Sequence, residues 1–253
     1  FQEVYRRVYF YFINISNYRI RWMNVARREL KFYQREGVKF IIDRKKVILA
    51  DEQGLGKTIQ VIAASLNIRN GEGAKKILVI CPFSAKEHWN REIGRFTIGG
   101  QKTYVLDSLN DLEAPARLAK IKAARFVIVN YEALRIERPE LRAKLKELGF
   151  DFIIADEAHK MRNERLQTEA VREFQAEYQV LITGTPLVGR KIVRLFNLLN
   201  WLYPEKFSNR ASFARKYGND SDKLRMLSVE LEDFTLRRLK KEVYADFPDK
   251  RYI

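Results

Sequence analysis

The stretch "LADEQGLGKTIQ", residues 49–60, decides the fold. An apolar run, Val47–Ala50, leads into it, and a helical pattern, Thr58–Arg69, leads out of it. Strand, glycine-rich loop and helix in that order place backbone N–H groups and a helix N-terminus around a polyphosphate. Gly54 and Gly56 let the main chain approach closely, because neither carries a Cβ. Lys57 is spaced to reach β- and γ-phosphates, and the Thr58 hydroxyl to join a Mg²⁺ shell. The strict phosphate-loop pattern, G-x-x-x-x-G-K-[ST], asks for glycine where this chain has Asp51. An ordinary glycine turn is the alternative, and this motif alone leaves it open.

A second motif, "FDFIIADEAHKMRN" (residues 150–163), places Asp156 98 residues beyond Thr58. Here an apolar strand runs straight into two adjacent acids. NTP hydrolysis needs a carboxylate for Mg²⁺ and a group that orients or deprotonates water. At the C-terminal edge of a buried strand, Asp156 suits the metal and Glu157 the water; ligands of open α/β sheets bind at that edge. Two acids equally favour a helix N-terminus, so the pair is ambiguous by itself. Both motifs in this order identify an NTP-hydrolase site, with Lys57, Asp156 and Glu157 as its catalytic residues.

The rest of the chain fits such a domain. Its 253 residues, 46% apolar and 32% charged, suit a globular protein with a sizeable core. No apolar run reaches the roughly 18 residues of a membrane helix, which argues against a membrane partner. The chain opens on Phe1, as a fragment or a processed product does. A single cysteine, Cys81, excludes an internal disulfide, and with two histidines it argues against a zinc site. A reducing intracellular compartment follows, cytoplasmic in a prokaryote or virus and nuclear in a eukaryote. The net charge of +16 suits a polyanionic partner, nucleic acid first, with solubility charge as the bland alternative. Residues 1–35 contribute eight Lys/Arg against Glu3 and Glu29.

Short apolar runs recur at Val47–Ala50, Ile77–Cys81, Thr103–Leu106, Phe126–Asn130, Phe152–Ala155 and Val180–Thr183. Helical patterns separate most of them, at Ala85–Phe96, Ala114–Ala124, Glu140–Leu148 and Gln167–Ala176. Alternation of this kind implies an α/β fold, a parallel sheet with helices on both faces. Beyond Thr185-Pro186 the periodicity is helical, with no convincing strand.

Taken together, "FYQREGVKF" (32–40), "LADEQGLGKTIQ", "ILVICPFSAKEHWNREI" (77–93), "VIVNYEAL" (127–134), "DEAHKMRN" (156–163), "LITGTPL" (181–187) and "FTLRRLKKEV" (234–243) resemble successive motifs of the Swi/Snf family. These are superfamily 2 helicase-like ATPases that translocate on double-stranded DNA. The resemblance implies a RecA-like P-loop NTPase fold and ATP with Mg²⁺ as cofactors. Their phosphate loop commonly begins Asp-Glu, so Asp51 marks the branch. By resemblance, nucleotide is bound by Gln34, which reads adenine, and by Asp51, Glu52, Gln53, Gly54, Leu55, Gly56, Lys57 and Thr58. Thr58 and Asp156 hold the metal. His159 with Thr183, Gly184 and Thr185 resemble elements that couple hydrolysis to DNA movement.

Six residues are candidates for DNA phosphate: Ser84, Lys86, Asn130, Tyr131, Arg237 and Arg238. Phosphate contact calls for hydroxyls, amides and cations. The implied organisation is a basic aromatic arm at 1–29, a first RecA-like lobe at 30–190, and a helical extension at 191–253 leading to a second lobe. Two other readings are a strand-separating superfamily 2 helicase and a nucleic-acid-binding module without turnover. "TGTP" and Asn163 favour the translocase, and intact Lys57, Thr58, Asp156 and Glu157 disfavour the inert module. A single lobe is expected to hydrolyse ATP very slowly.

Overall fold

The computed structural model describes residues 30–68, 73–97, 99–134, 139–158, 165–184, 193–218 and 221–243. The basic arm, His159 and Thr185 lie outside the described residues. The chain begins with α1 (Phe32–Arg44), β1 (Lys46–Leu49), α2 (Lys57–Asn67), β2 (Ile77–Cys81) and α3 (Lys86–Phe96). It continues through β3 (Thr103–Val105), α4 (Pro115–Ala123), β4 (Phe126–Asn130), α5 (Tyr131–Leu134), α6 (Pro139–Lys146), β5 (Phe152–Ala155), α7 (Arg165–Arg172) and β6 (Tyr178–Ile182). Helices α8 (Val193–Leu202), α9 (Arg210–Tyr217) and α10 (Ser221–Glu232) follow, then β7 (Thr235–Leu236) and α11 (Lys240–Val243).

The strands form one parallel sheet in the order β3-β4-β2-β5-β6-β1-β7. Their continuous apolar sequence has a direct cause. Alternate residues of one strand enter different core layers: Val79 lies with Val47, Leu49 and Ile154, whereas Leu78 and Ile80 lie with Ile48 and Ile153. Successive strand side chains point to opposite faces, and both faces are covered, so every position of β2 is apolar. α1, α2 and α3 cover one face. α8, α9 and α10 help cover the other.

One expectation about the C-terminal part changes. Residues beyond 190 pack on the sheet: Leu198, Leu199, Trp201 and Leu202 of α8 are fully buried in the same layer as Ile48 and Leu181. The segment also contains a strand, because β7 pairs with β1 through Ile48–Thr235 and Leu49–Leu236. Two residues carry no periodicity, so only the neighbouring strand reveals this one. Among the described residues no helix is long and apolar enough to cross a membrane.

Candidate active site

The loop after β1 turns through two left-handed glycines, Gly54 (φ 88°) and Gly56 (φ 73°). Gly56 is needed twice over, since a Cβ there would also sit 2.6 Å from Gln34 Nε2. Helix α2 starts at Lys57 with no side-chain cap, so its first-turn N–H groups lack intrahelical acceptors. Lys57 Nζ curls back over the loop and donates to the Asp51 carbonyl at 2.7 Å and, marginally, to the Glu52 carbonyl at 3.5 Å. Burial lowers its pKa; the charges of Asp51, Glu157, Asp156 and Glu52 oppose that shift. The lysine and the two acids after β5 therefore share one electrostatic field at the C-terminal edge of the sheet.

Asp156 leaves β5 with both carboxylate oxygens engaged. Oδ2 accepts from Trp89 Nε1 at 2.8 Å, and Oδ1 accepts from the Glu157 N–H at 2.8 Å. Burial raises the Asp156 pKa; the indole and amide donors and Lys57 lower it, and Glu157 raises it further. The Tyr131 hydroxyl donates to the Asp156 carbonyl at 2.8 Å. Burial holds that phenol well above its ordinary range, so it remains a donor. Glu157 is exposed and has φ 49°. A non-glycine residue in the left-handed region is costly, and such strain collects at functional sites. Trp89 and Tyr131 thus orient Asp156, a role that their sequence positions did not disclose. Trp89 reads equally well as a core residue, which it also is, with none of its surface exposed.

The donor set fits Mg²⁺ that arrives with nucleotide. Among the described residues no cluster of three His, Cys, Asp or Glu could hold a metal unaided. A carboxylate and a hydroxyl suffice when phosphates and waters complete an octahedral shell, and Asp156 and Thr58 are the residues that would supply those two.

Gln34 lies against the loop: its Oε1 accepts from the Lys31 N–H at 3.0 Å and its Nε2 donates to the Leu55 carbonyl at 3.3 Å. Each amide atom keeps capacity for one more bond. Asp51 and Leu55 are completely buried, and Gln53 and Gly54 are exposed. The Asp51 carboxylate is occupied by Arg238 and Gln60, and Glu52 accepts from the Lys240 N–H at 2.7 Å. Both carboxylates are thus engaged in holding the shape of the loop. Thr183 is buried at the end of β6, its N–H donating to the Leu49 carbonyl at 3.2 Å, and Gly184 follows it on the surface.

The candidates for DNA contact separate. Ser84 is exposed just after β2, Arg237 is half-buried, and Asn130 is buried with its Nδ2 donating to Glu132 at 2.9 Å. Direct phosphate contact by Lys86, Tyr131 and Arg238 is not supported. Lys86 Nζ is buried and donates to the Leu106 carbonyl at 2.7 Å. Tyr131 is spent on Asp156, and Arg238 on Asp51. Residue type suggested cations and hydroxyls on a surface, but the fold used all three inside.

Comparison with known proteins agrees with this geometry. The family description "SNF2-related domain" matches residues 33–253. The ISWI chromatin-remodeling complex ATPase ISW1 of Saccharomyces cerevisiae is 34% identical over 237 residues, which are 88% of this chain and 20% of that protein. Chromodomain-helicase-DNA-binding protein 8 of Xenopus tropicalis is 32% identical over 241 residues, 88% of this chain and 11% of that protein. The chain thus spans a fifth or less of these two relatives. The solved SWI2/SNF2 ATPase core of Sulfolobus solfataricus in complex with dsDNA superposes with a TM-score of 0.73 at 28% identity, covering 88% of this chain and 48% of that one. The chain belongs to the SNF2-related domain family and corresponds to the first-lobe region of its superfamily 2 ATPases.

Proposed function

We propose that the chain is the ATP-binding lobe of a DNA-dependent ATPase that translocates on double-stranded DNA. The observation that carries this reading is the convergence of Lys57, in its glycine loop, with Asp156 and Glu157 at one edge of a parallel sheet. In this reading Lys57 leaves the carbonyls of Asp51 and Glu52 for the β- and γ-phosphates. The loop and first-turn amides cradle the phosphates, and Gln34 uses its spare donor and acceptor on adenine. Asp156 and Thr58 hold Mg²⁺, which neutralises charge developing on the transferred phosphoryl group. Glu157, exposed beside the Asp156 carboxylate, orients the attacking water.

A second RecA-like lobe completes the site. The chain covers 48% of the solved core that it resembles, and transition-state arginines in phosphoryl transfer are worth on the order of 10³–10⁵ in rate. The DNA partner is supported by the charge of +16 and by the dsDNA in the solved relative. Ser84 is exposed on the sheet edge that carries the site, and His159 with Thr183–Thr185 would transmit hydrolysis to DNA movement.

Glu157→Gln tests the division of labour. It should leave Mg-ATP affinity near that of the parent and lower turnover by about 10²–10⁴, the usual share of a general base. Equal turnover in the variant, measured with the second lobe present, would remove Glu157 from the reaction.

A further inference from the structure

Arg238 stands 187 residues beyond Asp51, yet the two form a buried pair of which 1% and 0% are exposed. The guanidinium grips the carboxylate with two N–H groups, Nε to Oδ1 at 3.0 Å and Nη2 to Oδ2 at 2.5 Å. The Arg238 main-chain N–H adds a third bond to Oδ1 at 3.1 Å. Gln60 of α2 closes the ring, accepting from Nη2 at 2.8 Å and donating to Oδ2 at 3.1 Å. Nη1 reaches the Tyr33 carbonyl, beside Gln34. At Gly37 helix α1 passes so close to this ring that a Cβ would collide with Gln60 Oε1.

The main chain carries the same connection. Past the end of β7, pairing with the β1 segment runs on into the phosphate loop: the Ala50 N–H donates to Leu236 at 2.7 Å and the Glu52 N–H to Arg238 at 2.9 Å. A buried ion pair is weak evidence for stability, since apolar replacements are often as stable. Its position matters more. The Asp51 side chain is fixed by Arg238 and Gln60, and the Asp51 carbonyl holds Lys57 Nζ at 2.7 Å.

We propose that Arg238 is a positioning residue for Lys57, acting through Asp51. The inference rests on the ATP-binding reading and deepens it. A loop whose first position lacks the usual glycine is held in shape by a bidentate ion pair from a distant segment. Coupling between two sites is reciprocal. The loop main chain that Arg238 fixes through Asp51 is the one that cradles phosphate once Lys57 Nζ swings off the Asp51 carbonyl, so nucleotide and the ion pair favour the same loop and each strengthens the other.

The test compares Mg²⁺-AMP-PNP affinity, by calorimetry on the full chain, for the parent, Arg238→Lys, Arg238→Gln, Asp51→Asn and the double variant Asp51→Asn/Arg238→Gln. Hydrogen exchange of the Arg238 and Lys240 amides is followed with and without nucleotide. Arg238→Gln should weaken binding at least tenfold. Arg238→Lys, which keeps the charge but loses the fork, should weaken it less. The double variant should bind no worse than Asp51→Asn alone, and nucleotide should slow exchange at both amides in the parent. A purely structural role would lower the melting temperature and leave the affinity of the folded protein and the exchange unchanged. If the glutamine variant does not fold, the lysine variant and the exchange of the parent decide. Affinities within twofold of the parent, or exchange indifferent to bound nucleotide, overturn the proposal. A parent chain that binds no Mg²⁺-AMP-PNP overturns the ATP-binding reading with it.

Discussion

Asp156 must be ionised to hold a cation, and its surroundings make that harder than for an ordinary aspartate. Burial raises its pKa, and the Trp89 indole is the strongest of the groups that pull it back down. Glu157, Lys57 and Tyr131 are the other titratable groups that face it. On acidification, Mg²⁺-dependent nucleotide binding should therefore begin to fade at a higher pH than an ordinary aspartate would give. Trp89→Phe removes a donor that favours the carboxylate, so the folded pKa rises and the binding midpoint moves to higher pH. Titrating Mg-nucleotide affinity against pH in both proteins measures the displacement. A midpoint that stays in place, with the variant folded, would show that the indole packs without tuning Asp156.

At the scale of elements, α8 shows most clearly what joins the C-terminal part to the sheet. Trp201 is fully buried, and its Nε1 donates to the Phe174 carbonyl at 3.0 Å. Trp201→Ala should cost about 3–5 kcal/mol, the range for removing a large buried aromatic, read as an earlier urea transition of the whole chain. If residues beyond 190 were an extension, α8 would unfold separately and leave the sheet transition unmoved. The sequence disclosed such elements unevenly. Strands β2, β4 and β5 were legible to the residue, because runs such as "ILVIC" are apolar on both faces. β7 was not legible, since two residues acquire strand character only from β1. The amphipathic pattern of α8 was visible, but the face that it covers depends on chain topology. Within the site, Lys57, Asp156 and Glu157 could be read from spacing. Trp89 and Arg238 could not, because side chains 67 and 187 residues from their carboxylates meet only in the fold.

For the whole molecule, the charge of +16 fits the proposed DNA partner, which would be recognised by its phosphates. Phosphate contacts release counterions and carry no base information. Duplex affinity should therefore fall steeply with salt and vary little with sequence. Titrations of unrelated duplexes at two salt concentrations check this, and a shallow slope with strong sequence preference would indicate a specific binder instead. On the proposed function, these residues form one lobe of a two-lobed ATPase driven by DNA. Its most direct test is steady-state ATP hydrolysis by the chain alone and by the chain supplied with its second lobe, each with and without duplex DNA. The chain alone should hydrolyse ATP slowly, little changed by DNA, and DNA should stimulate hydrolysis strongly once the second lobe is present. Robust DNA-stimulated turnover from the chain alone, or none with both lobes and duplex present, would contradict it.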